Sequence, residues 1–116
     1  VFLGGFTSVH QFCKIGAHAM TAFTAAVSQD IPPFVTAAGN RAVPAGINSE
    51  GLKRRGFTPE QIAAIKRAYK AVYRAGLPLE EAKQALLQQE ENSPESAAHI
   101  RLMREFIASS SRGIIR

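Results

Sequence analysis

Residues 1–33, VFLGGFTSVHQFCKIGAHAMTAFTAAVSQDIPP, repeat with a period of six. Leu3, Val9, Ile15, Thr21 and Val27 lie at that spacing, and Pro33 falls on the next position. The residue that follows is small at Gly4, Gly16, Ala22 and Ser28, and His10 is the exception. Neither the 3.6 period of a helix nor the alternation of a half-buried strand produces this pattern. A repeat this short describes a coil in which each rung buries one residue per face and neighbouring rungs complete the core. Three six-residue faces would close a triangular turn of about eighteen residues. The small residue relieves crowding at each corner. A stack needs about three repeats to be stable, so further turns are expected upstream of Val1.

After the repeats, Ile31-Pro32-Pro33 is expected to end the regular ladder, because proline lacks a backbone donor and restrains its neighbour. Gly39-Asn40 and Pro44-Ala45-Gly46 read as turns. The chain then changes period. Thr58-Pro59-Glu60-Gln61 is a capping box with proline at the first helical position, and Phe57 and Ile62 can form a hydrophobic staple. Ile62, Ile65, Tyr69 and Val72 mark one helical face. Gly76 is a natural stop, and Pro78 opens a second helix to about Glu91 with Leu79, Ala82 and Leu86 inward. Ser93 can cap a third helix to about Ala108, with Ile100, Met103 and Ile107 on its face and Arg112 to Arg116 as a tail. The fold class read from this is mixed β and α. Residues 1–35 form the last coils of a parallel β-helix, 36–56 a connector, and 57–116 an antiparallel three-helix domain.

Composition narrows the function. Hydrophobic residues make up 46% of the 116, which excludes disorder by composition. No apolar run is long enough to span a bilayer, and no basic-then-apolar leader follows Val1. Cys13, the only cysteine, cannot form an internal disulfide or a thiolate metal site, and is expected to be a buried, inert thiol in a reducing compartment. The net charge of +5 is mild. No helix carries a cluster of outward Arg, Lys, Asn and Gln, so nucleic-acid binding is not expected.

Three groups of residues carry possible chemistry. His10-Gln11 places an imidazole and an amide where the repeat calls for a small residue. Either His10 hydrogen-bonds a neighbouring rung, or the pair faces a cleft and binds ligand. His18 reads as packing or as a subunit contact, and His99 as a solvent-facing helical residue. The histidines have no metal-ligand spacing, so no metal is expected. Asn48 to Gly56 (NSEGLKRRG) is the polar centre of the chain. There Asn48 and Glu50 could bond a base or sugar, and Arg54 and Arg55 could clamp phosphate oxygens, next to Lys53. No nucleophile–base–acid set can be assembled, so no catalytic residue is assigned.

The stretch Val9 to His18 (VHQFCKIGAH), with Gln29-Asp30-Ile31-Pro32-Pro33, resembles the last coils of the UDP-N-acetylglucosamine O-acyltransferases, which perform the first step of lipid A synthesis. Glu50 to Phe57 (EGLKRRGF), Tyr69, Tyr73-Arg74 and the closing Ser111 to Arg116 (SRGIIR) are similar to that family too. The resemblance implies a cytoplasmic homotrimer of left-handed β-helices with sites between subunits. It implies a 3-hydroxyacyl donor on the phosphopantetheine of acyl carrier protein, the sugar 3-hydroxyl of UDP-N-acetylglucosamine as acceptor, and no other cofactor. The family's general base and oxyanion glycine match coils upstream of Val1, so the 116-residue chain alone is expected to be inactive. His10 and Gln11 match residues of the substrate cleft, and Asn48, Glu50, Arg54 and Arg55 residues around the nucleotide. Phe23 stands where the family commonly has glycine in enzymes taking longer acyl chains, which implies a role in chain-length selection beside the alternative of trimer packing. Two other readings stay open: a relative with another acceptor, and a non-catalytic trimerisation or carrier-binding module.

Overall fold

A computed structural model describes residues 1–116. Its first part is a stack of very short strands, β1 (Phe2–Leu3), β2 (Ser8–Val9), β3 (Met20–Thr21), β4 (Ala26–Val27) and β5 (Val35–Ala38). Phe2 pairs with Met20 and Met20 with Thr36, Ser8 pairs with Ala26, and Ile15 bridges Ile31, all in parallel. These are three ladders along three faces, the end of a left-handed parallel β-helix as expected. Stacking is what buries each rung. Thr21 and Val27 lie between neighbours and are 0% and 3% exposed. Leu3 and Val9, with a coil on one side only, are 51% and 39% exposed. The small corner residues have a direct steric cause: a Cβ at Gly16 would lie 2.3 Å from the Pro33 nitrogen, and one at Gly4 2.7 Å from the Thr21 carbonyl oxygen. Corners turn through single left-handed residues, Phe6, Phe12, His18 and Thr24, again six apart.

The coil does not end at the prolines. Ile31 N–H donates to the Lys14 carbonyl and Phe34 N–H to the Ala17 carbonyl, both at 2.9 Å, so the donors on either side of Pro32-Pro33 stay in the ladder. The register differs from the hexad expectation. Ile15 pairs with Ile31 and Met20 with Thr36, sixteen residues on, while Phe2 pairs with Met20 and Ser8 with Ala26 at eighteen. The second coil is therefore two residues shorter at the corner after Val27, and the inward residue of its third face is Ile31 (0% exposed) where the strict period put Pro33. Strand β6 (Val43–Ile47) then turns back antiparallel on β5 and covers the end of that sheet.

Helix α1 (Ser49–Arg54), not anticipated from the sequence, follows β6. Helices α2 (Pro59–Tyr73), α3 (Leu79–Asn92) and α4 (Ala97–Ser109) form the helical layer. The capping box is present: Thr58 Oγ1 accepts from Gln61 N–H at 3.1 Å, and Gln61 Oε1 from Thr58 N–H at 2.9 Å. Ile65, Tyr69, Val72, Ala82, Leu86, Ile100, Met103 and Ile107 are buried, as their spacing predicts. Ser93 makes no side-chain cap; a 3-10 turn at Pro94–Ser96 comes first, and α4 starts three residues later than the serine suggested. Glu90, buried on α3, accepts from Arg101 and Arg104 of α4, and the Arg104 contact above all holds its carboxyl below the usual carboxylate range.

Two cores result, one among the helices with Phe34 and Leu52, the other inside the coil, and Tyr69 carries α2 into the second. The C-terminal segment is no free tail. Asp30 N–H donates to the Gly113 carbonyl at 2.9 Å and Ile115 N–H to the Asp30 carbonyl at 2.8 Å, so Ile114 extends the third ladder. Ile114 enters the helical core and Ile115 the coil core. The Asp30 side chain, 1% exposed, fastens the same junction: its oxygens accept from Lys14 N–H at 2.7 Å and from the Ser110 hydroxyl at 2.6 Å.

Candidate functional site

Asn48 organises the polar centre. Its Oδ1 accepts from Gly51 N–H at 3.2 Å, capping α1, and its Nδ2 donates to the His18 carbonyl at 3.2 Å. The side chain thus straps α1 to the coil corner at His18, with the Asn48 N–H on the Phe34 carbonyl at 2.8 Å. A Cβ at Gly51 would meet the Asn48 amide at 2.4 Å, which explains glycine there. With α1 held this way, Asn48, Gly51, Arg54 and Arg55 line a cavity of 190 Å³ together with His18, Ala19, Val1 and Phe2. Arg54 and Arg55 are exposed, and neither is paired with a carboxylate. Glu50 lies outward on α1, 3.8 Å from Lys53. The arrangement is two unneutralised guanidiniums at a cavity with an amide and an imidazole in its wall, which suits an anionic ligand with hydrogen-bonding groups.

His18, read from the sequence as packing or a subunit contact, is packed and also lines this cavity, which its sequence context does not signal. Its ring stacks on Phe34 at 5.7 Å between centroids and meets Phe57 edge-on at 5.1 Å. His99 of α4 joins the same cluster, 4.8 Å from Phe57 and 6.0 Å from Phe34, so it is half-buried packing and not the solvent-facing residue expected. Burial, and then the Arg55 charge and His99, push His18 below the ordinary imidazole value. The left-handed backbone at His18 and at Phe34 brings the two rings together, and no local motif announces it.

His10 and Gln11 occupy a different corner, between β2 and the Ile15 bridge. Both are exposed, and His10 N–H donates to the Val27 carbonyl at 2.8 Å. One face of the coil separates them from the His18 corner, so a single chain does not bring the two groups together. Phe23 is 64% exposed at the remaining corner, edge-on to Phe6 at 5.6 Å and over Gly5. It points outward, as the inward direction of Thr21 and Val27 requires. Cys13 is half-buried. No group of three His, Cys, Asp or Glu side chains comes together, and no helix is long and apolar enough to cross a membrane.

Residues 30–115 match the family model described as UDP N-acetylglucosamine O-acyltransferase, domain 2. The chain belongs to the UDP-N-acetylglucosamine O-acyltransferase family. A curated relative from Janthinobacterium sp. (strain Marseille), named acyl-[acyl-carrier-protein]--UDP-N-acetylglucosamine O-acyltransferase, is 80% identical over all of this chain and 44% of its own length. One of the same name from Thiobacillus denitrificans is 53% identical over 98% of this chain and 43% of its own length. The chain therefore spans less than half the length of these relatives. The crystal structure of the UDP-N-acetylglucosamine O-acyltransferase of Moraxella catarrhalis RH4 superposes with a TM-score of 0.90 at 36% identity, covering 98% of this chain and 43% of that one. The Francisella novicida acyltransferase gives 0.89 at 40% identity, over 98% and 41%. Shared coil, hairpin and helices place the present chain in the acyltransferase family over nearly its whole length.

Proposed function

We propose that this chain is part of an acyltransferase that moves a 3-hydroxyacyl group from acyl carrier protein to the sugar 3-hydroxyl of UDP-N-acetylglucosamine, and that it supplies contacts to the nucleotide. The observation that carries this reading is the cavity at the His18 corner, where unpaired Arg54 and Arg55 stand beside Asn48. The diphosphate of a sugar nucleotide is a ligand of matching charge, and guanidinium recognises it bidentately. Asn48 spends its amide on α1 and the coil, so its role is to place the arginines as well as to line the cavity. Glu50 stands at the outer edge, available to a sugar or base. His10 and Gln11 meet the same ligand only from a neighbouring copy, because they lie on another corner. That supports a homotrimer with sites between subunits, as do Phe6, Phe12 and Phe23, which are 85%, 79% and 64% exposed.

The partner reading has its own support. Lys66 and Lys70 of α2 and Arg74 at its C-terminal cap follow one another at four-residue steps and line a 740 Å³ cavity with Ser49 and Tyr69. A stripe of cations suits an acidic protein such as a carrier loaded with acyl-phosphopantetheine. The general base and the oxyanion donor belong to the part of the family's fold that this chain does not span, and the compartment is the cytoplasm. In the full-length enzyme, Arg54→Ala should weaken sugar-nucleotide binding by roughly 1.5–3 kcal/mol, read as the dissociation constant at fixed salt. An unchanged constant would remove Arg54 from the site. A relative acting on another acceptor would bind UDP-N-acetylglucosamine no better than an unrelated nucleotide sugar. A non-catalytic module would bind carrier protein without turnover at full length.

A further inference from the structure

The closing segment reaches the His10 corner, and there an arginine and a backbone carbonyl compete for one ring nitrogen. His10 Nδ1 lies 2.9 Å from the Gln11 carbonyl oxygen and 3.2 Å from Arg112 Nη2. The carbonyl can only accept and the guanidinium can only donate, so a neutral imidazole satisfies one of them at a time. With a proton on Nδ1 the ring bonds Gln11, and Nε2 is left as an acceptor. With Nδ1 bare the ring accepts from Arg112, and Nε2 carries the proton and is a donor.

Two features favour the second state. The bond from a guanidinium is charge-assisted, which makes it stronger than the neutral bond to a carbonyl, and the exposed Gln11 carbonyl has water as an alternative partner. The arginine is also delivered by a fixed backbone. Its own carbonyl accepts from Gln29 Nε2 at 3.3 Å, and Gly113 and Ile115 after it are hydrogen-bonded to the Asp30 backbone. Ile114 and Ile115 beyond it are 4% and 1% exposed.

We propose that Arg112 is a positioning residue that holds His10 in the tautomer with its proton on Nε2, so that the imidazole offers a hydrogen-bond donor to the sugar nucleotide. The second half rests on the reading of His10 as a substrate contact. A segment 102 residues from His10 in sequence thereby sets the polarity of that contact.

The test uses the full-length enzyme labelled with ¹⁵N in histidine. Long-range ¹H–¹⁵N correlation separates the two tautomers, and the His10→Gln variant assigns the His10 signals. The wild type should show the proton on Nε2, Arg112→Met should move the population toward Nδ1, and Arg112→Lys, which keeps a cationic donor, should restore it. Steady-state kinetics at saturating acyl donor supply the second readout. Arg112→Met should raise the KM for UDP-N-acetylglucosamine on the order of tenfold, the loss of about one hydrogen bond, with a smaller change in kcat. Combining it with His10→Gln should add nothing further, because both act on one contact. An unchanged tautomer in Arg112→Met, or additive KM effects in the double variant, overturns the positioning role. A tautomer that switches while neither His10→Gln nor Arg112→Met alters KM overturns the substrate half alone. The backbone bonds of the segment do not involve the guanidinium, so the variants should melt with the wild type, and a shared loss of Tm in Arg112→Met and Arg112→Lys with no tautomer change also refutes the proposal.

Discussion

Replacing Asp30 by alanine should loosen the closing segment from the coil. The carboxylate is 1% exposed and accepts two bonds, one from Lys14 N–H and one from the Ser110 hydroxyl. A hydrogen bond to a charged group contributes about 1.5–3 kcal/mol. The two are not independent, and the half-buried Ser110 hydroxyl can turn toward water, so a combined loss of about 3 kcal/mol is expected. The effect should concentrate where Ile115 N–H donates to the Asp30 carbonyl and Asp30 N–H to the Gly113 carbonyl, since both bonds depend on the strand staying in register. Urea unfolding of the full-length enzyme at pH 7 and one fixed protein concentration measures the first quantity, and amide exchange at Ile115 the second. Asp30→Asn keeps an acceptor for Lys14 N–H and an amide that can donate to the Ser110 oxygen, so it should lose only about 1 kcal/mol. If Asp30→Ala costs under about 0.5 kcal/mol, the range of a neutral surface change, and Ile115 stays protected, the carboxylate does not hold the segment.

Phe23→Gly should raise the kcat/KM ratio for long over short 3-hydroxyacyl donors, because an outward ring at a coil corner fills volume that glycine leaves open; each methylene admitted contributes ~1–3 kcal/mol, and an unchanged ratio on protein of unchanged oligomeric state makes Phe23 a packing residue only. Glu90 is held below the ordinary carboxylate value chiefly by its bond to Arg104, so its stabilisation is fully present above the unfolded value of about 4.3 and is lost as pH falls through the lower folded value. Glu90→Gln should flatten the acid limb of a stability–pH curve below about pH 4.3, and an unaltered limb would count against it. His18 runs by the opposite chemistry to the same side: its folded value is lowered, so below about 6.5 the unfolded chain takes up the proton first and stability falls with acidification. His18→Gln should remove that part of the slope, the remaining charged or titratable groups near the ring being Arg55 and His99; urea midpoints between pH 7 and 5 that fall as steeply in the variant as in the wild type would refute it.

The period of six determined the coil, because a repeat that short leaves one inward residue per face and no other way to bury it. The capping box and the apolar spacing determined α2, and the same spacing found the buried faces of α3 and α4, because these are local properties of a few consecutive residues. The cation cluster at Arg54 and Arg55 was legible too, since charge density needs no contact map. Relations between distant residues, by contrast, emerge only once the chain has folded. The two-residue shortening after Val27, which put Ile31 inside in place of Pro33, follows from closure of the ladder on Ile15, and nothing local signals it. The prolines interrupt no pairing because the donors at Ile31 and Phe34 carry the ladder past them. His18 and His99, eighty-one positions apart, meet only because Phe34 and Phe57 bring coil and helix together. Arg116 and its neighbours read as a tail because burial of Ile114 and Ile115 requires two cores that exist only after the helices have docked on the coil. His10 could be suspected from its misfit to the repeat. Its contact with Arg112 could not, because hydrogen bonds between exposed groups at opposite ends of a chain leave no periodicity to read.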